Sequence, residues 1–535
     1  MVIADNKLLI LIISGFLVAA LAGCSIPGHH YATVERLNAE GDFAGACYYV
    51  EEHAKDYGKR NRLLYELDRG MLSFAAGDYP DAIEAFTEAE RLMEKLYTIS
   101  LSNEATTWVI NDNMAPYRGE DFESVMVNLF LALSYANLGQ IEDALVEVRK
   151  VDSKLAAINL QYDEAHMNAY REDPFARLLM GILYEMGRTN TDLNDAYISY
   201  HLALKGYESE YSRYGTAFPG VLAENLLSLA AFMGEEQLQL VRQNFPHLQH
   251  PSLAERRELA EVYSLHFNGR APVKMEEQIF LPLTDGYIAN VAFPRYQRIP
   301  EQIAEASLHA RSLEDNHVYQ SEFVLAEPID SIAIENLENR QARILAKTTI
   351  RATAKFLAVK VGEAMMQTEE GILPGLIVAG IGNLLVITSE QADLRSWRTL
   401  PAEILISKLT IPPGSYRFWA ERTDNSGSLI NRLDLGTRQL QAGDMVFLQF
   451  TSRSSGTFLE EYKGRLFVNT TAPDAMVRVL NIGPRFHQQG MRLEPGKYNL
   501  EISAPGYETE IIWTELSAGE DKKITVDLRE IGGEK

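Results

Sequence analysis

Through the first half of the chain, apolar residues recur at intervals of three and four, and glycines interrupt them at matching places. Gly41-Asp42-Phe43 leads into Ala46 and Val50. Gly77-Asp78-Tyr79 leads into Ala82, Phe86 and Ala89, with Gly70 two helical turns upstream. Gly139 has Ala132 and Tyr135 before it, and Ile141, Ala144 and Val148 after it. Gly181, Tyr184 and Gly187 precede Ala196, Tyr200 and Ala203 in the same frame. Spacing of three and four marks an amphipathic helix. Each block therefore predicts helix, Gly-centred turn, helix. Small residues fall where two helices must approach closely, and aromatics fill the gaps between them. The stripe Tyr48, Tyr49, Phe74, Tyr79, Phe86, Tyr135 and Tyr200 reads as inter-helix core rather than a ligand site.

After Leu265 the period shortens to two. Segments 274–283 and 287–296 predict two strands joined at Thr284-Asp285-Gly286, and 305–310 and 319–326 predict two more. Pro328-Ile329-Asp330-Ser331 then supplies a helix start, with Asp330 or Ser331 as cap. A long helix is predicted over 332–366. Arg343, Lys347, Arg351 and Lys355 are spaced by four and so share one face, with Arg340 and Lys360 nearby. This basic stripe is a candidate partner-binding surface for an anionic headgroup, a cell-wall polymer or an acidic protein. The plainer alternative is the chain's own acidic surface, or solvent. The uncharged stretch 371–388 is broken by Pro374 and by Gly371, Gly375, Gly380 and Gly382. It reads as a buried Gly-rich helix, because a bilayer span needs ~20 uninterrupted apolar residues. Insertion into a membrane or a ring-like partner is the alternative.

Beyond residue 400 the pattern alternates in short runs. Ile404 to Ile411, a Pro412-Pro413-Gly414 turn, Ser415 to Trp419, and Met445 to Phe450 after Ala442-Gly443-Asp444 form one set. Leu466 to Asn469 opens the same plan again, with Met476 to Leu480, Pro495-Gly496-Lys497-Tyr498, Asn499 to Ser503, and Ile524 to Leu528 after Ala518-Gly519-Glu520-Asp521. Short alternating strands between turn signals predict small β-sandwiches.

Composition narrows the function classes. Apolar content of 46% and charged content of 23% are those of a globular protein, and 535 residues require several cores. A net charge of -24 argues against nucleic acid, whose phosphates need clustered Lys and Arg. Cys24 and Cys47 are the two cysteines. Cys47 falls on a helical apolar pattern and reads as a buried thiol.

The N-terminus combines Lys7, an apolar run from Leu8 to Ala22, and the small residues Ala22-Gly23 before Cys24. That is the build of a secretory signal. Leu21-Ala22-Gly23-Cys24 resembles a lipobox, the motif at which bacterial lipoproteins are cut and acylated on the new N-terminal cysteine. The resemblance implies removal of 1–23, lipidation of Cys24 and a short tether over 24–30. Ser25 stands where Asp would favour inner-membrane retention, so the outer membrane, facing the periplasm, is the expected location.

Three further resemblances bear on organisation. The Gly-turn-helix frame over about 31–245 is similar to the tetratricopeptide repeat, since Gly41 and Gly77 lie close to that family's spacing of ~34. Wider gaps imply insertions around 98–123 and 188–194, and 221–234 opens a degenerate unit. Glu390-Gln391-Ala392-Asp393-Leu394-Arg395-Ser396-Trp397-Arg398-Thr399-Leu400-Pro401, with Asn268-Gly269-Arg270-Ala271-Pro272-Val273-Lys274-Met275-Glu276 upstream, resembles a family of bacterial lipoproteins that carry N-terminal helical repeats. Ser389 departs from that family's Thr. The resemblance implies an envelope lipoprotein and brings no catalytic residues. The segment 456–535 resembles a PEGA domain in its Pro-Gly-x-Tyr and Pro-Gly-Tyr elements, although Pro473-Asp474-Ala475 departs from Pro-Glu-Gly-Ala. Such modules imply interaction or spacing.

The 390–401 block reads two ways. Arg395, Trp397 and Arg398 are candidate partner-binding residues. Equally, Trp397 is a buried plug in a structural joint, with Arg395 and Arg398 paired to Asp393 or Glu390. No His-Glu-x-x-His, Gly-x-Ser-x-Gly or Cys-x-x-Cys occurs, and the His29-His30 and His247/His250 pairs lack ligands at zinc spacing. Neither a catalytic residue, a metal nor a cofactor is assigned.

The expected architecture is multidomain α+β. Tetratricopeptide-like helical hairpins forming an α-solenoid occupy 31–250 and an α/β middle domain occupies 251–400. A β-module covers 401–455 and a PEGA-like β-module 456–535. The expected function is a non-enzymatic lipid-anchored scaffold or assembly factor that binds envelope proteins through the repeats. Alternatives are a regulator of cell-wall synthesis, a homo-oligomeric ring subunit of a secretion or motility complex, and a cell-wall or peptide hydrolase.

Overall fold

The computed structural model describes residues 28–102, 115–160, 170–282, 288–299, 305–341, 344, 345, 349, 392–424, 426–452, 464–470, 472, 475–480, 485, 486, 489–493, 496–516 and 521–531. Its helices and its several small sheets occupy different stretches of sequence, as a multidomain α+β chain requires. No helix among the described residues is long and apolar enough to cross a membrane.

The first half forms successive helices: α1 (Gly28–Ala39), α2 (Phe43–Glu52), α3 (Arg62–Ala76), α4 (Tyr79–Ser102), α5 (Asp121–Asn137), α6 (Ile141–Asn159), α7 (Pro174–Gly187), α8 (Asn190–Ser209), α9 (Ala223–Met233) and α10 (Glu235–Arg242). Helices α3/α4, α5/α6, α7/α8 and α9/α10 pack as hairpins, and each hairpin contacts the next. The turn glycines act as expected. Gly41, Gly77 and Gly139 adopt φ of 77°, 82° and 74°, a left-handed conformation that costs a residue with Cβ ~1 kcal/mol or more. At the fourth turn the left-handed residue is Arg188, with φ 62°, and not Gly187, which ends α7.

Close approach explains two further glycines. A Cβ on Gly70 would lie 2.6 Å from the Phe86 ring, and one on Gly181 would lie 2.6 Å from the Tyr200 ring. The small-against-aromatic contact is thus the same in the α3/α4 and α7/α8 hairpins.

The second half forms strands β1 (Ala260–Asn268), β2 (Val273–Pro282), β3 (Ile288–Gln297), β4 (Glu305–Ser312), β5 (Val318–Glu322) and β6 (Val324–Glu327). They are followed by β7 (Glu403–Ile411), β8 (Gly414–Thr423), β9 (Leu429–Leu440) and β10 (Met445–Ser452). β2 and β3 form the expected antiparallel ribbon, in register from Val273↔Gln297 to Pro282↔Ile288. The turn assigned to Thr284-Asp285-Gly286 lies outside the described residues. β1 was not expected as a strand, although Ser264-Leu265-His266-Phe267-Asn268 alternates polar and apolar residues; all nine of its residues are buried.

The boundary expected at 400/401 does not separate two units. One sheet runs β10-β1-β7-β6 and another β5-β4-β8-β9, so strands from both sides of that boundary share both sheets. Between the two sheets lie Val262, Leu308, Ala310, Leu409, Ile411, Phe418 and their neighbours.

The C-terminal strands are β11 (Gly464–Thr470), β12 (Met476–Val479), β13 (Arg485–Phe486), β14 (Met491–Leu493), β15 (Gly496–Ser503), β16 (Glu510–Leu516) and β17 (Asp521–Val526). They make sheets β14-β11-β17 and β13-β12-β15-β16 around a separate core of Leu466, Val468, Tyr498, Leu500 and Ile502.

The two β-units share one topology. The first strand pairs parallel with the last (β1 with β10, β11 with β17) and antiparallel with a middle strand (β7, β14). The second sheets, β5-β4-β8-β9 and β13-β12-β15-β16, correspond strand for strand. The Pro-Gly-x-Tyr turns fall at the equivalent β7–β8 and β14–β15 connections and deliver a buried tyrosine to each core, Tyr416 and Tyr498. The first unit differs by two insertions. These are the β2/β3 ribbon and the run from β6 to residue 402, which begins with a helix over 329–341. That helix starts one to two residues before the expected cap. The remainder of the predicted 332–366 helix, beyond 341 and the helical residues 344, 345 and 349, lies outside the described residues.

Candidate functional site

The helices and the β10-β1-β7-β6 sheet share one apolar core, and their contact is where the chemistry-bearing residues converge. Phe267 on β1 packs edge-on against Phe74 of α3, with ring centroids 5.2 Å apart, and also lies against Phe130 of α5. Asn225 of α9 donates to the Tyr263 hydroxyl of β1 at 2.8 Å. The first helix of each of these hairpins therefore faces the sheet.

Segment 392–402 threads this contact. Trp397 is 1% exposed, with its ring centroid 5.8 Å from Phe86 and 6.1 Å from Phe130. Its backbone N–H donates to Oε1 of Glu123 at 2.8 Å, and its indole N–H to Oγ1 of Thr399 at 2.9 Å. Thr399 in turn donates to Oδ1 of Asp68 at 2.8 Å. Tyr31 and Tyr57 donate to the other oxygen of Asp68 at 3.0 Å and 2.8 Å.

Arg395 pairs with Asp393 at 2.6 Å as expected, and also donates to the carbonyl of Ala115 at 3.0 Å. For Arg398 the acid reached is on a distant helix, and Glu390 lies outside the described residues. Arg398 reaches Glu35 of α1 at 2.6 Å and lies over the Tyr31 ring. Arg395, Trp397 and Arg398, candidates for partner binding, are thus engaged inside the chain. Their geometry is that of the joint.

Burial sets the electrostatics here. Glu120 sits between Lys274 and Arg340, and its two cations outweigh the burial that would raise it, holding its carboxyl well below the usual range. Glu123, one turn further on, is pushed up to about 7, first by burial and then by the Glu120 charge; hydrogen bonds from Tyr117, Trp397 and Glu120 oppose this. Burial pushes Asp68 up to about 6 against the hydrogen bonds from Tyr57, Thr399 and Tyr31. A second buried network joins Arg256 to Glu185 and Glu261, at 2.7 Å each, with Lys408 at 2.7 Å from Glu261. Burial alone would raise Glu261, but Lys408 and Arg256 outweigh it and hold the carboxyl low.

Two Ser–His contacts bear on hydrolysis. His266 Nε2 lies 2.5 Å from Ser452 Oγ, but both are buried, and Nδ1 of the histidine has no hydrogen-bond partner among the described residues. A triad needs an acid at that nitrogen and access for substrate. Burial lowers the imidazole to about 3, so it stays neutral. His309 Nε2 lies 2.9 Å from Ser307 Oγ, with Glu421 3.7 Å from that same nitrogen, an arrangement that again leaves Nδ1 without the acid.

Cys47, Glu51 and Asp81 bring three ligand atoms within 4.8 Å of one another. Arg69 already supplies the positive charge, pairing with both carboxylates. The Cys47 thiol is half-buried and raised by burial, so it is a weak thiolate donor.

Arg343, Lys347, Arg351, Lys355 and Lys360, the 371–388 stretch and Cys24 lie outside the described residues. Arg340, adjoining the stripe, is turned inward to Glu120. Sequence reasoning passed over Glu35, Asp68, Glu120 and Glu123. Asp68 and Glu123 did leave a signal, since each is an acid inside an apolar helical stripe, where an unpaired charge is costly.

No family model matches the chain, and no curated protein matches it. Among solved structures, a leucine-rich repeat protein from Bacteroides thetaiotaomicron VPI-5482 aligns over 51% of this chain and 27% of its own length. Identity is 7% and the TM-score 0.15, so the likeness carries no argument about fold or function.

Proposed function

We propose that this chain is an outer-membrane lipoprotein that faces the periplasm and acts as a protein-binding scaffold or assembly factor, with its helical hairpins forming a tetratricopeptide-like solenoid. The lipobox-like Leu21-Ala22-Gly23-Cys24 supports the anchor. The observation that carries the binding role is the placement of exposed apolar side chains on the helices. Val146, Ile198, Leu202 and Leu240 lie on α6, α8 and α10, the second helices of their hairpins; Tyr48 on α2, expected as inter-helix core, is exposed as well, and Phe232 at the end of α9 is the exception on a first helix. The first helices are occupied by the chain's own sheet. In this reading partners engage the outer row of helices rather than the inner one. Ile198 and Leu202, one turn apart on α8, are its centre.

In-cell crosslinking with mass spectrometry tests this, beside a Cys24→Ala variant. Crosslinks from α6, α8 or α10 to a defined envelope protein, reduced when the anchor is removed, are the expected result. Crosslinks confined to the chain itself would overturn the scaffold reading.

A further inference from the structure

The two β-units place a strand at equivalent outer edges, β9 in the first and β16 in the second, and these edges are built differently. An edge strand presents unpaired N–H and C=O groups, and natural proteins defend it with bulges and charges. β9 has both defences. Its register with β8 shifts at Phe418/Trp419 and at Arg422/Thr423, and Arg432, Asp434 and Arg438 are exposed along it. β16 has no bulge, its register with β15 being unbroken from Gly496↔Leu516 to Ile502↔Glu510, and its two exposed charges, Glu510 and Glu515, flank an uncharged stretch over 511–514. Ile511 and Trp513 stand on its outer face, 59% and 65% exposed. Among the described residues β16 pairs with β15 alone.

We propose that β16 is a strand-addition site whose occupant is β16 of a second copy of this chain, paired antiparallel about a two-fold axis. Self-complementarity selects this occupant. In an antiparallel pair, directly opposed residues share a face. With Ile512 opposite Ile512, Ile511 meets Trp513 of the second copy twice. Glu510 then meets Thr514, and Thr509 meets Glu515. No like charges are opposed. A slip of one residue toward the C-terminus sets Glu510 against Glu515 and turns one copy's core face outward. A slip of two sets Ile511 against either itself or Glu515. The centred register therefore covers both apolar side chains and joins the two four-stranded sheets into one. The contact is isologous and closes on itself, so it gives a dimer and not a fibre. This inference goes beyond the scaffold reading and does not depend on the lipid anchor.

The test is native mass spectrometry of the whole chain at micromolar concentration, with Ile511→Lys and Trp513→Glu variants. Both positions are exposed, so both variants keep the fold. The wild type is expected at twice the protomer mass. Each variant alone is expected at the protomer mass, with association weakened roughly tenfold or more. An equimolar mixture of the two is expected to recover the double mass, because the register sets the introduced cation opposite the introduced anion. A wild type at the protomer mass, variants that remain double, or a mixture that fails to recover would each overturn the proposal. Loss of binding to phosphatidylethanolamine vesicles by the variants, without a change in mass, would overturn it in favour of a bilayer contact.

Discussion

The backbone N–H of Trp397 donates to the carboxylate of Glu123 at 2.8 Å, joining a loop that precedes β7 to a helix 274 positions earlier. The indole packs edge-on against both Phe86 and Phe130, which stack on each other. Trp397→Ala removes that packing and opens a cavity at the contact between helices and sheet. A loss of about 3–5 kcal/mol is expected, read by denaturant unfolding. An unfolding midpoint within a few tenths of the wild type would show that Trp397 does not hold the joint.

The same carboxylate makes stability depend on pH. Glu123 titrates from an ordinary value of 4.5 in the unfolded chain and from about 7 when folded. Between these values the unfolded chain binds fewer protons, so stability falls as pH rises from about 5 to about 7. Asp68, raised to about 6, acts in the same direction over a narrower window. Glu120 and Glu261, held low, act oppositely and lose their contribution only as pH falls below the ordinary carboxylate range. His266, lowered to about 3 by burial, acts against this below pH 6.5, but the two raised carboxylates together outweigh it, so thermal unfolding is expected to show a higher midpoint near pH 5.5 than near pH 8. Glu123→Gln should shrink that difference. An unchanged pH profile in the variant would assign the dependence elsewhere.

Close helix packing yields a second class of prediction. The Cβ of Gly70→Ala would enter the Phe86 ring, and that of Gly181→Ala the Tyr200 ring. Each is expected to cost about 1–3 kcal/mol, although alanine is the better helix former in isolation. Equal or higher thermal midpoints would mean that the hairpins open at little cost.

Removing the charge of Glu120 takes away the buried anion that Lys274 and Arg340 share and leaves the two cations facing one another. Glu120→Ala is expected to cost about 3 kcal/mol or more. Urea denaturation of the variant checks this. A loss under 1 kcal/mol would indicate that water reaches the site.

Periodicity by itself determined the hairpins, their glycine turns at Gly41, Gly77 and Gly139, the β2/β3 ribbon and the repeated Pro-Gly-x-Tyr plan, because those are local. Three features were decided only by tertiary structure. β1 lies between two strands and is buried on both faces, so the polar and apolar alternation of 264–268 marks no solvent face, and only the folded chain shows that Ser264, His266 and Asn268 are buried too. The first β-unit draws its strands from 260–327 and 403–452, and strand pairing across so long an interval leaves no mark in either segment. Arg395, Trp397 and Arg398 could equally have faced a partner or a core, since a charged-aromatic run has the same composition in both. Arg395 keeps its sequence neighbour Asp393, but the places of Trp397 and Arg398 depended on Glu35, Asp68 and Glu123, acids set on distant helices that only the folded chain brings to them.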